Sequence, residues 1–217
     1  MIICANDTET SGLPLWRKPS TDARQPHIVQ LAAMLINDTP AGATVMQQIS
    51  RIVRPDGWSW SQDDESFKAH GITMERAMDE GIPERQVIEE YLSMHDLGQL
   101  RVGHNGSFDD RILRIAMKRY GYSDTRADEY RDYVSFCTMR SSTAICKLPT
   151  TARQKEAGYG NGYKNPKLTE AFHHFFGFTF DGAHDALNDT KACADVYLAI
   201  QRGIKVPVFT ERLGATA

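Results

Sequence analysis

The sequence predicts an α/β fold, and three observations predict it. Residues 1–5 form an unbroken apolar-leaning run that stops at Asn6-Asp7, which reads as a buried central strand ending at a polar rim. HIVQLAAMLI (27–36) and TVMQQISRIV (44–53) flank the turn-like NDTPAGA and read as two joined strands. Beyond Pro83, helical and strand patterns alternate, as expected of a sheet covered by helices.

The elements follow in order. Pro14, Pro19 and Pro26 mark a loop after the first strand. Pro83 opens a helix with Val87, Ile88, Tyr91 and Leu92 on one face, since proline is well placed at a helix start. LRVGH (100–104) is a short strand, followed by a helix from Ser107 to Tyr120. YVSFCTM (133–139) is a further strand. A Gly/Lys/Tyr-rich loop leads into a helix from Lys167 to Phe176, with Leu168, Ala171, Phe172, Phe175 and Phe176 inward and Gly177 as its stop. The last helix is expected from Asp185 to Arg202, and residues 204–217 form a short tail.

The 217 residues, 41% of them hydrophobic and 24% charged, suffice for one packed domain and argue against disorder. The N-terminus has no basic region before its apolar run, and no run reaches membrane-spanning length, so neither a signal peptide nor a membrane partner is expected. Cys4, Cys137, Cys146 and Cys193 show no C-x-x-C spacing, which points to free thiols and a cytoplasmic location. The net charge of −3 does not advertise a nucleic-acid partner, but divalent cations held by carboxylates would more than cancel it.

The chemistry-bearing residues stand out by phase. Asp7 and Glu9 are two apart on a strand and share a face. The helix from Ser107 has the apolar stripe Ile112, Leu113, Ala116, Met117 and Tyr120. Extended backwards, that stripe reaches Asp109, while Asp110 falls with the polar face and, as Ser107-x-x-Asp110, reads as a helix cap. In the last helix Ala186, Asp189, Cys193, Val196 and Ile200 form one inward stripe. Asp195 and Lys191 fall on its outer face, and Asp185 caps its start. Inward aspartates need partners, and clustered carboxylate oxygens suit Mg²⁺ or Mn²⁺ better than zinc. His184, in the small-residue lead GAHDA, is placed to reach such a cluster from a loop, and an imidazole is a good general base near neutral pH.

NDTETSGL (6–13), GHNGSFDDRIL (103–113) and AHDALNDTKACADVYLAI (183–200) resemble the three exonuclease motifs of the DnaQ-like DEDDh family, and HGIT (70–73) and PKLTEAF (166–172) are similar to further stretches common in it. The similarity runs from residue 1 to 203, the extent expected of the exonuclease domain. The resemblance implies a ribonuclease-H-like fold, with a five-stranded mixed sheet flanked by helices. It further implies 3′→5′ release of nucleoside 5′-monophosphates by two metal ions about 3.5–4 Å apart. Carried over by position, Asp7, Glu9, Asp109 and Asp189 are the metal ligands and His184 the base. Thr10, Leu13, Asn105 and Phe108 match positions near the terminal nucleotide. Two departures are Asn6, where an apolar residue is more usual, and Gln30, where many relatives carry Glu.

From the look of the motifs and loop lengths, DNA is the expected substrate, with single-stranded or frayed 3′ ends as its target. An exoribonuclease or oligoribonuclease of the same family is the alternative. A non-catalytic nucleic-acid-binding or polymerase-associated module, with a polymerase or repair partner, is a second one. A phosphatase using Asp7 as nucleophile would leave Asp109, Asp189 and His184 unexplained. Two features stay open: the loop 150–167, whose interleaved Arg153, Lys155, Tyr159, Tyr163, Lys164 and Lys167 suit either a strand track or a plain surface loop, and Trp58 and Trp60, which suit a stacking platform or a packed edge.

Overall fold

The structure is a computed structural model, and it describes residues 1–156 and 162–211. Tyr159 of the open loop lies outside the described residues.

Strand β1 (Ile2–Thr10) is central. It runs antiparallel to β2 (Ile28–Thr39), which pairs antiparallel with β3 (Gly42–Arg54) across the tight turn at Pro40-Ala41. On its other side β1 runs parallel to β5 (Leu100–Gly103), and β5 parallel to β6 (Ser135–Cys137). The mixed sheet thus has the five expected strands. A sixth, the two-residue β4 (Ile82–Pro83), adds to the outer edge of β3 and gives the order β4-β3-β2-β1-β5-β6. Two residues leave no periodicity to read, which is why this strand is invisible in the sequence.

Alternation along β1 divides the core. Cys4 faces one layer, built from α3 (Glu84–His95), α4 (Ser107–Arg119) and α5 (Asp124–Asp132). Ile3 and Ala5 face the other, where Cys193, Ala194, Tyr197 and Leu198 of α9 (Ala186–Arg202) pack with Val102. Both faces of β2 are covered, so Ile28 to Ile36 are all buried, with Gln30 the one polar residue among them. The short helix α2 (Met74–Glu80) packs on β3, while α1 (Glu65–His70) lies against β1. Helices α6 (Thr138–Cys146) and α8 (Leu168–Phe176) pack against α9, with the five-residue α7 (Ala152–Glu156) between them in sequence. Gly177 ends α8 in the left-handed conformation at φ 79°.

Two local readings are corrected by distant partners. Asp110 does not cap α4, whose N-cap Gly106 offers no side chain. Its carboxylate instead accepts a 2.9 Å bond from the buried Arg101 on β5. Asp195 is not on an outer face. It is fully buried, and its carboxylate accepts from the backbone amides of Val208, Phe209 and Thr210, so the segment after α9 folds back over it. Ile204 and Phe209 join the α9-side core in the same way.

The two tryptophans and the unusual Asn6 find their places in the packing. Trp60 is buried and donates to Ile72 O at 2.9 Å, while Trp58 stacks on His27 with ring centres 4.2 Å apart. Both tryptophans therefore belong to a packed edge. Asn6 accepts from the Tyr91 hydroxyl at 3.2 Å, and that hydroxyl meets the Tyr130 hydroxyl at 3.0 Å. Arg101 lies over the Tyr130 ring, so this unusual asparagine belongs to a buried polar chain that reaches Asp110.

Candidate active site

The strand period puts Asp7 and Glu9 on the α9 side of β1 and Thr8 on the α4 side. Helix α9 begins beside them. Its cap Asp185 accepts from the amides of Leu187 and Asn188, and Gln30 of β2 locks that cap from outside. Gln30 Nε2 donates to Asp185 Oδ2 at 2.9 Å, and Gln30 Oε1 accepts from Ala186 N at 3.1 Å. Asp189, one turn further, is thereby turned toward β1. Across the strand, Thr8 donates twice to Asp109 Oδ1, from its amide at 3.0 Å and from its hydroxyl at 2.7 Å.

The cluster so formed resists ionisation. Burial raises all four carboxyls above the usual range. Asp7 is raised well above it, with Asp109, Asp189 and Glu9 adding repulsion. Glu9 is pushed up to about 8, by burial and by Asp189 and Asp109. Asp109 rises to about 7 despite the Thr8 hydroxyl, and Asp189 to about 6 despite the amide of His184. Four acids held together at a cost of this kind call for a cation.

His184 occupies the left-handed region at φ 69°, on the loop leading into α9, with its side chain exposed. Its amide donates to Asp189 Oδ2 at 3.1 Å, and donor atoms of Glu9, His184 and Asp189 lie within 4.8 Å of one another. Asp189 Oδ1 is buried and has no hydrogen-bond partner among the described residues. That orphaned oxygen, in an oxygen-rich donor set, fits a hard divalent cation.

A cleft of about 490 Å³ adjoins Glu9. Thr10, Leu13 and Phe108, three of the four residues expected near the terminal nucleotide, line it. Leu13 is 79% exposed and so is not a core residue, whereas Phe108 is partly buried and packs against the α4-side core while it lines the cleft. Thr10 donates to Gly12 O at 2.8 Å and so shapes the turn beneath Leu13. Asn105 is not among the cleft residues. It is exposed in the left-handed conformation, φ 63°, in the loop between β5 and α4.

Sequence reasoning missed Thr8, whose opposite parity to Asp7 and Glu9 was the available signal, and the pairing of Gln30 with Asp185. It also missed Asp64, Glu65 and Ser66 of the α1 start, which wall the cleft but carry no pattern of their own. His70, from HGIT, packs edge-on to Trp60. Burial, with a smaller contribution from nearby His184, lowers it to about 4.

Comparison with solved structures places this fold. A zinc-bound complex of Escherichia coli exonuclease I with single-stranded DNA is 17% identical with a TM-score of 0.62, covering 93% of this chain and 41% of that one. The same enzyme with a dA16 oligonucleotide is 18% identical with a TM-score of 0.63, at the same coverage. A 3′-exonuclease described as recognising the histone mRNA stem-loop 3′ end is 18% identical with a TM-score of 0.62, covering 94% of this chain and 65% of that one. The chain therefore spans about two fifths of the length of the exonuclease I structures. Among described residues, no helix is long and apolar enough to cross a membrane. No curated protein matches the sequence. Residues 5–197 match the exonuclease family RNase_T, a span that includes every carboxylate of the cluster and His184, and the chain belongs to that family.

Proposed function

We propose that the chain is a 3′→5′ exonuclease that releases nucleoside 5′-monophosphates from single-stranded or frayed DNA ends. The observation that carries this reading is the unpartnered, buried Asp189 Oδ1 within a set of four carboxyls raised above their usual range. Asp7, Glu9, Asp109 and Asp189 hold two Mg²⁺ or Mn²⁺ ions in this reading. Such ions, when bound, ease deprotonation of the attacking water and offset charge on the leaving 3′ oxygen.

The protein's own groups do the rest. Thr8 fixes one oxygen of Asp109 and leaves the other free to bind. Asp185, gripped by Gln30, sets the direction of α9 and hence of Asp189. His184 takes the proton of the attacking water. Its exposed position at the mouth of the cluster lets it pass that proton to solvent. Leu13 and Phe108 flank the terminal nucleotide in the cleft, excluding water from one side of the scissile phosphate.

DNA is preferred because the exonuclease I complexes carry single-stranded DNA on this fold. A second reading, an exoribonuclease, draws on the fold shared with the 3′-exonuclease of histone mRNA. The test is incubation with 3′- and 5′-labelled single strands of DNA and RNA in Mg²⁺, Mn²⁺ or EDTA. Metal-dependent loss of mononucleotides from the 3′ end of DNA is expected. Activity that persists in EDTA, or that starts at the 5′ end, would refute the reading, and faster loss from RNA would select the second one.

A further inference from the structure

The basic residues of this acidic chain are unevenly committed. Most arginines outside α6 and the segment after it are tied to acids: Arg51 to Glu90, Arg76 to Glu80 and Arg119 to Glu84 are examples. Between Thr138 and Glu170 the sequence carries six basic residues against two acids. One of them, Lys164, pairs with Glu170. Arg140, Lys147, Arg153, Lys155 and Lys167 are exposed, and among the described residues none forms an ion pair.

Arg140, Lys147 and the segment 163–167 gather around α6, and Arg153 and Lys155 follow on α7, the next helix in the sequence. Arg140 is exposed on α6, and Lys147, also exposed, caps the C-terminus of that helix in the left-handed conformation at φ 50°. Between them, Thr143 donates to Asn165 Oδ1 at 3.0 Å, joining that helix to the returning chain. Pro149 bridges Tyr163, and Lys164 N donates to Leu148 O at 3.0 Å, so 148–149 and 163–164 form a short ribbon that continues from the helix. Tyr163 is half-exposed on this ribbon. The surface is bolted to the site: His104, beside Asn105, donates through Nε2 to Pro166 O at 3.0 Å and meets Thr138 through Nδ1 at 2.9 Å. Arg140 also shares a small cavity with Ser107 and Asp110, at the start of the helix that carries Asp109.

We propose that the exposed face of α6, together with the ribbon and α7 beyond it, is a track for the phosphodiester backbone of the strand lying 5′ to the reacting end. Cations free of acids attract phosphates at no cost in broken ion pairs, and one half-exposed aromatic ring offers a base a stacking surface without sequence preference. The track rests on the exonuclease reading and adds to it a site that grips the body of the substrate away from its terminal nucleotide. A single-stranded occupant matches the exonuclease reading, in which a free 3′ end enters the site and the rest of the strand trails from it.

The experiment measures binding of a 5′-fluorescent DNA strand of about 20 nucleotides in EDTA, across a range of KCl concentrations. Lys147→Glu/Arg153→Glu/Lys155→Glu is compared with wild type and with Arg85→Glu/Lys205→Glu, which changes exposed cations elsewhere. Thermal melting establishes that each variant is folded. Three lost contacts at about 0.7 each on a single strand should lower the slope of log affinity against log salt by about 2. The affinity at low salt should fall about tenfold or more, while the control keeps the wild-type slope. An unchanged slope in the triple variant, or an equal drop in the control, overturns the track while leaving the exonuclease reading intact. A wild-type chain that neither binds the strand nor shortens it in Mg²⁺ overturns both.

Discussion

Thr8 and Asp109, 101 residues apart in sequence, share two hydrogen bonds to a single carboxylate oxygen, one from the Thr8 amide and one from its hydroxyl. The threonine lies between Asp7 and Glu9 but on the other face of the strand, so one tripeptide supplies two candidate ligands and the clamp for a third. Replacing Thr8 by valine keeps the shape and removes the hydroxyl bond. Partners that orient metal ligands typically contribute 10–100-fold to metal affinity or activity, so Thr8→Val should lower kcat or raise the half-saturating Mg²⁺ concentration by about that factor. Metal titration of the activity checks it, and wild-type behaviour would show that the amide bond alone suffices.

Adjacent aspartates on α4 should fail in opposite ways. Asp109 points into the cluster, where it is opposed by burial and by neighbouring acid. Asp109→Ala should lower turnover by about a hundredfold or more. It strands the Thr8 amide and hydroxyl but relieves the buried acid cluster, opposing effects that should leave the stability of the metal-free protein little changed. Asp110 holds the guanidinium of Arg101, whose side chain is only 3% exposed. Asp110→Ala leaves that charge with the carbonyl and ring of Tyr130 and no anion, and should cost about 2 kcal/mol, below the range for fully buried pairs because Asp110 is itself part-exposed. Urea unfolding paired with single-turnover assays separates the two. A dead but stable Asp110→Ala would contradict the assignment.

The contrast between these neighbours shows what was legible. Periodicity placed Asp109 and Asp189 inward because each continues an apolar stripe of its own helix, a local property. It failed at Asp110 because Arg101 lies on a different element, and phase carries no information about a strand nine residues away. It failed at Asp195 because phase reports direction and not cover. The outer side of α9 is covered by residues 208–210, which return over it. Asp7, Glu9 and His184 are legible as motif positions, whereas Gln30 stands in the sequence only as a departure, because its contact with Asp185 is made by the fold across 155 residues.

Metal-free protein should lose stability as pH rises. Glu9, Asp109 and Asp189 stand at about 8, 7 and 6 in the folded chain against ordinary values of 4.5, 3.8 and 3.8. Between about pH 4 and pH 8 the folded state therefore binds more protons than the unfolded one. Their contribution is fully present below the unfolded values and is lost as pH rises through the folded ones. Divalent cations compete with those protons, so Mg²⁺ should raise Tm more at pH 8 than at pH 5.5, and binding should release protons. Thermal melts in EDTA and in Mg²⁺ at both pH values measure this, and a Mg²⁺ effect independent of pH would argue against carboxylate ligation.

Asp195 should anchor the segment that follows α9. Its buried carboxylate satisfies three consecutive amides, and the Phe209 side chain packs on the α9-side core. Asp195→Ala would strand those amides and should cost about 2–3 kcal/mol. Hydrogen exchange at Val208, Phe209 and Thr210 should accelerate well beyond that of the sheet. Unchanged protection at these three amides would mean that Phe209 packing alone holds the segment.

Gln30 offers a test by exchange. It gives Asp185 a donor and gives Ala186 N an acceptor, so one amide side chain ties β2 to the start of α9. Glutamate at position 30 would keep the acceptor but set a second carboxylate against Asp185, within the field that already raises Asp7 and Glu9. Gln30→Glu alone should therefore weaken activity about tenfold and shift its rise to higher pH, because the added charge favours protonation of the cluster. Asp185→Asn restores a donor at the partner position and remains a good helix cap. The double variant Gln30→Glu/Asp185→Asn should then recover most of the lost activity and the original pH profile. Losses that simply add in this double-mutant cycle would show that the two side chains act independently, and that Gln30 only fills space between the sheet and α9.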